Sequence, residues 1–72
     1  MKHSPLSPEE IRRAVYEEAR ARFLSDGIAA TEMKKIAADI GIGRSTLYRY
    51  FPSKDQLAVY VAFELIERML FA

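Results

Sequence analysis

Apolar residues return at helical spacing in four stretches of the chain. Ile11, Val15, Ala19 and Phe23 recur every four residues, with Ala14 beside them, the stripe of an amphipathic helix. Ser7-Pro8-Glu9-Glu10 precedes it. Ser7 can accept from a free backbone N–H, Pro8 suits a first helical position, and Glu10 can reach back to complete a capping box. The opposite face offers Glu9/Arg13, Arg13/Glu17 and Glu18/Arg22 at i,i+4 spacing, each pair adding a few tenths of a kcal/mol. Gly27 is placed to end this helix.

Met33, Ile36, Ala37 and Ile40 form a second stripe. Thr31 or Glu32 begins it and Gly41-Ile42-Gly43 stops it. A third, short helix is predicted from Arg44 to Tyr50, with Leu47 and Phe51 on its inner side. Pro52 pushes Phe51 out of helical geometry. Two short helices around a Gly-containing turn are the helix-turn-helix signal, at about residues 32–51. Ser53-Lys54-Asp55-Gln56 predicts a second capping box and a fourth helix running to the last residue. The expected fold is all-α: a three-helix, homeodomain-like helix-turn-helix bundle over residues 8–56, a tail at 1–7, and the start of a fourth helix at 54–72.

The fourth helix is unusual. Thirteen of its last sixteen residues, 57–72, are apolar. Leu57, Val61 and Leu65 can face the small domain, whereas Val59, Phe63, Ile66, Leu70 and Phe71 lie elsewhere on the helix. A helix apolar on more than one side is normally covered by something else. Core packing within a longer protein is one reading; a short form that pairs through this helix is another.

Composition narrows the chemistry. With 72 residues the chain has room for one domain. It has no Cys and one His, His3, so disulfides, thiol chemistry and Cys-based zinc sites are excluded. His3 reads as an exposed tail residue. The N-terminal residues lack an apolar signal region. The longest unbroken apolar run, Leu57 to Phe63, has seven residues, against about 20 for a membrane span. A soluble, cytoplasmic chain without a membrane partner is expected. The adjacent carboxylates Glu9/Glu10 and Glu17/Glu18 sit on the salt-bridging face of the first helix. Tyr16 and Tyr60 read as partly buried aromatics. There is no Ser/His/Asp set and no phosphate-cradling Gly loop, so neither an enzyme nor a cofactor is expected.

The net charge of +1 hides its distribution. Residues 1–30 carry five basic and five acidic residues, net 0. Residues 31–54 carry five basic and two acidic, net +3, and residues 55–72 are net −2. From Arg44 to Lys54 there are three cations and no anion. A localised basic stripe is the footprint of phosphate binding. The third helix adds Arg44, Ser45, Thr46, Tyr48, Arg49 and Tyr50, six hydrogen-bonding side chains in seven positions. Seven residues make about 10 Å of helix, enough to span roughly three base pairs in a major groove. Arg pairs bidentately with guanine, and hydroxyls suit phosphate oxygens. The plainer alternative is a solvated face on a connecting helix, although solvated faces ordinarily mix charge signs.

Gly27-Ile28-Ala29-Ala30-Thr31, Ile36-Ala37, Gly41-Ile42 and Thr46-Leu47-Tyr48-Arg49-Tyr50-Phe51-Pro52-Ser53-Lys54 together resemble the DNA-binding domain of TetR-type (tetracycline-repressor-like) transcriptional regulators, over about residues 9–65. The resemblance implies a transcription regulator, usually a repressor, acting as a homodimer on a palindromic operator in double-stranded DNA. Its third helix would be the recognition helix. Arg44 and Ser45 would face base edges, and Tyr48 bases or phosphate, with Arg49 adding to base selection. Thr46, Tyr50 and Lys54 would grip the phosphate backbone, joined by Thr31 and Lys34 near the start of the second helix. The resemblance also implies a larger helical domain beyond the fourth helix, which binds a small-molecule effector and forms the dimer. Two positions depart from the pattern: Gly43 stands where Ser often caps the recognition helix, and Glu32 where a small hydroxyl residue often caps the second. The rival expectation is a protein-interaction module docking through the apolar fourth helix. A head of a DNA-processing enzyme such as a recombinase would need catalytic residues outside this chain.

Overall fold

The computed structural model describes residues 6–71 and is all-helical, with no strand among them. Its helices are α1 (Pro8–Asp26), α2 (Met33–Ile40), α3 (Arg44–Tyr50) and α4 (Lys54–Leu70). His3 and the rest of the tail before Leu6, with Ala72, lie outside the described residues.

Local chemistry sets each boundary. The capping box at the start of α1 is complete: Glu10 N–H donates to Ser7 Oγ at 3.1 Å, and Ser7 N–H donates to Glu10 Oε1 at 2.8 Å. At the start of α4 only half the expected box forms. Gln56 N–H donates to Ser53 Oγ at 3.1 Å, but the Gln56 side chain does not return to Ser53. A neutral amide is a weaker acceptor than the Glu10 carboxylate. Gly27 closes α1 at φ 88°, ψ 156°, a region essentially restricted to Gly. Gly41 closes α2 in the left-handed conformation at φ 82°, ψ 29°. There Ile42 N–H donates to Ala37 O at 3.0 Å and Gly41 N–H to Ala38 O at 3.2 Å, the Schellman pattern that turns the chain sharply into α3. Phe51 leaves α3 with extended backbone, as the following Pro52 requires.

One core joins the helices. Ile11, Val15, Tyr16 and Ala19 of α1 pack with Met33, Ile36 and Ala37 of α2, Leu47 of α3, Phe51, and Leu57 and Val61 of α4. Phe23 and Ile40, the last members of their stripes, pack on its margin. The Phe51 and Tyr60 rings, with centroids 4.9 Å apart, tie the end of α3 to α4. Burial, with Glu64 nearby, pushes the Tyr60 hydroxyl above its usual range. Arg68 of α4 lies 4.5 Å from the centre of the buried Tyr16 ring.

Leu65 departs from the expected inner stripe and is exposed. Helical geometry explains this. At about 100° per residue, Leu65 is turned roughly 80° from Leu57, whereas Glu64 and Arg68 fall within about 20° of it. The α1-facing seam therefore continues through Arg68. Of the expected α1 pairs only Glu18/Arg22 forms among the described residues, at 2.7 Å; Glu17 meets Arg20 instead, at 3.6 Å. Arg22 also bridges to Asp39, pinning the end of α1 to the end of α2. That hydrogen bond holds the Asp39 carboxyl below the usual carboxylate range.

Candidate nucleic-acid interface

Burying Leu47 completely fixes which side of α3 faces outward. Counting about 100° per residue, Arg44, Tyr48, Ser45 and Arg49 then follow one another across an arc of about 140°. All four are exposed. Thr46 and Tyr50 follow on the next flank and are half-buried. No carboxylate occurs on α3. The outward arc therefore presents two guanidiniums, a phenol and an alcohol, with no anion to neutralise them.

The Arg44/Tyr48 edge borders an open groove of about 610 Å³, whose other walls include Glu32 and Lys34 from the start of α2 and Lys54 from the start of α4. Glu32 occupies the cap position of α2 without a side-chain cap bond. It brings the groove's one carboxylate beside Lys34 and Lys54. Gly43 caps α3 with extended backbone at φ −74° and likewise offers no side-chain cap.

Two expected site residues are engaged inside the chain. Thr31 is buried, and its hydroxyl donates to Gly27 O at 2.8 Å. Its single hydroxyl hydrogen thus braces the α1–α2 turn. Lys54 Nζ donates to Thr31 O at 2.8 Å and to Ala29 O at 3.1 Å. An ammonium has three donors, so one remains for an outside partner. Lys54 therefore draws the α1–α2 turn onto the first turn of α4, and so shapes the wall of the groove.

The other edge of the arc meets α1. The Arg12 guanidinium lies 5.5 Å from the centre of the Tyr50 ring. Arg12, Arg49 and Tyr50 line a second, smaller concavity of about 310 Å³. Arg12 was outside the expected site. It lies 38 positions before Tyr50 in the sequence, and no local spacing rule connects the two.

A basic, acid-free helix carried outward by a Gly turn on a core shared by four helices defines a helix-turn-helix domain. The family model described as bacterial regulatory proteins, tetR family, matches residues 15–61, and the chain belongs to that family. HTH-type transcriptional regulators of Staphylococcus aureus strains USA300 and COL are each 40% identical to it over 53 residues, 74% of this chain and 29% of each relative. The chain thus spans less than a third of the length of the curated relatives it matches. No solved structure matches it.

Proposed function

We propose that this chain is the DNA-reading head of a transcriptional regulator, and that it binds double-stranded DNA sequence-specifically by laying α3 in the major groove. The acid-free outward arc of α3 carries this reading. Arg44, Ser45, Tyr48 and Arg49 lie where base edges would be met, while Thr46, Tyr50, Lys34 and the remaining Lys54 donor face the phosphate walls. Phosphate contacts fix register and supply much of the affinity; base-edge contacts select sequence.

Family membership supports the wider reading of a cytoplasmic, ligand-responsive repressor working as a dimer on a palindromic operator. Two heads would then read half-sites about one helical turn apart. The exposed Val59, Phe63, Ile66, Met69 and Leu70 of α4 favour further protein packing on that helix. They also suit a module that docks to proteins, but such a module has no use for an acid-free α3.

Selection of bound duplexes from a random pool, with the full-length protein, tests the proposal. Enrichment of a palindrome is expected. Recovery of an unenriched pool would remove sequence-specific reading.

A further inference from the structure

The α1 side of α3 carries one cationic group, Arg12, that the helix-turn-helix reading leaves unused. Arg12 sits in the first turns of α1, exposed, with its guanidinium against the Tyr50 ring. Among the described residues it forms no ion pair, whereas Arg20, Arg22 and Arg68 each meet a carboxylate. A guanidinium held beside a ring and paired with no carboxylate keeps N–H donors for an outside partner, and those donors match phosphate oxygens in bidentate fashion. Arg49, one turn from Ser45 on the outward arc, lines the same concavity.

The two concavities flank α3 on opposite edges, one bordered by Arg44 and Tyr48, the other by Arg49 and Tyr50. A helix about 10–12 Å across fills a major groove about 12 Å wide. Groups that neighbouring elements bring beside its two edges, Lys34 and Lys54 on one and Arg12 on the other, then stand against the two phosphate walls. We propose that Arg12, held beside the Tyr50 ring, is a phosphate-binding site for the DNA backbone on the α1 side of α3, opposite the Lys34/Lys54 groove. The Tyr50 ring, 5.5 Å from the guanidinium carbon, holds Arg12 at this edge of α3. The site rests on the reading of α3 as the groove helix.

The test measures binding of this chain to a fluorescein-labelled duplex of mixed sequence by anisotropy across a salt series. Wild type is compared with Arg12→Met, which retains an aliphatic stem over Tyr50, and with Arg12→Lys, which retains the charge. One lost phosphate contact lowers the slope of log K against log salt by about 0.9. A fourfold rise in salt should therefore weaken wild type roughly 3.5-fold more than Arg12→Met. Arg12→Lys should keep the wild-type slope, and circular dichroism melts should show all three chains folded. An unchanged slope in Arg12→Met would overturn the site while leaving α3 as the groove helix. So would a slope lowered equally in Arg12→Lys, because the loss would then come from packing. Failure of wild type to bind duplex even at low salt would overturn both the site and the reading beneath it.

Discussion

Replacing Lys54 by Met separates two roles that one side chain can hold. The residue opens α4, and its ammonium donates at 2.8 and 3.1 Å to carbonyls of the α1–α2 turn. Hydrogen bonds from a charged donor contribute about 1.5–3 kcal/mol each when well shielded. Both lie near the surface, so the lower end applies, and water can re-satisfy the exposed Ala29 carbonyl. A cation in the first turn of a helix is also opposed by the helix dipole by about 0.3–1 kcal/mol, which the substitution relieves. The net expected loss is about 1–2 kcal/mol. For a domain of this size that corresponds to a Tm lower by roughly 4–16 °C. Urea unfolding of Lys54→Met should show a lower midpoint with an unchanged m-value. The same variant should weaken binding to all duplexes and lower the salt slope by about one unit, through the one donor left outside the chain. Wild-type stability together with a lowered slope would refute the bracing role and leave only the phosphate contact. Lowered stability with an unchanged slope would remove Lys54 from the contacts.

Gly41→Ala should cost about 1–2 kcal/mol, the strain of a left-handed non-Gly residue, read from its urea midpoint; open space surrounds the added methyl, so the penalty lies in the backbone. Leu47→Ala, at a completely buried position, should cost about 2–5 kcal/mol and leave much of so small a domain unfolded by circular dichroism. Asp39→Asn should be less stable than wild type near neutral pH. Because Arg22 lowers the Asp39 pKa in the folded chain, the difference should persist above the ordinary carboxylate value of about 4 and close as pH falls through the lower folded-state value. Added salt should shrink it, since the pair is exposed. Arg44→Ala should lose about 1–3 kcal/mol of binding and relax base preference at one position; an equal loss on random and cognate duplexes would mark a phosphate contact only.

Features dictated by neighbouring residues were legible in the sequence. Ser7 with Glu10, Gly27, Gly41 and Phe51-Pro52 set the helix ends because their chemistry acts within a turn. The i+4 stripes located Ile11, Val15, Ala19 and Ile36 in the core. Leu65 leaves the inner stripe because a four-residue stride drifts about 40° at each step around a helix. The seam passes instead through Arg68, whose guanidinium reads as polar although it covers Tyr16. The engagement of Lys54 with the Ala29 and Thr31 carbonyls, the Arg22–Asp39 bridge and the Arg12–Tyr50 contact all join distant segments. They follow from how helices dock, which local spacing does not encode. Around α3 the residue types and the surplus of charge were already visible; which edge meets which neighbour required the fold.

Titrating an isotope-labelled chain with duplex DNA and following its amide resonances distinguishes a duplex held by α3 and its two flanks from one held by the apolar face of α4. The largest shifts are expected at Arg44, Ser45, Tyr48 and Arg49, with smaller ones at Lys34 and Lys54. Shifts centred on Val59, Phe63 and Ile66, with α3 unmoved, would contradict α3 as the element that meets the duplex.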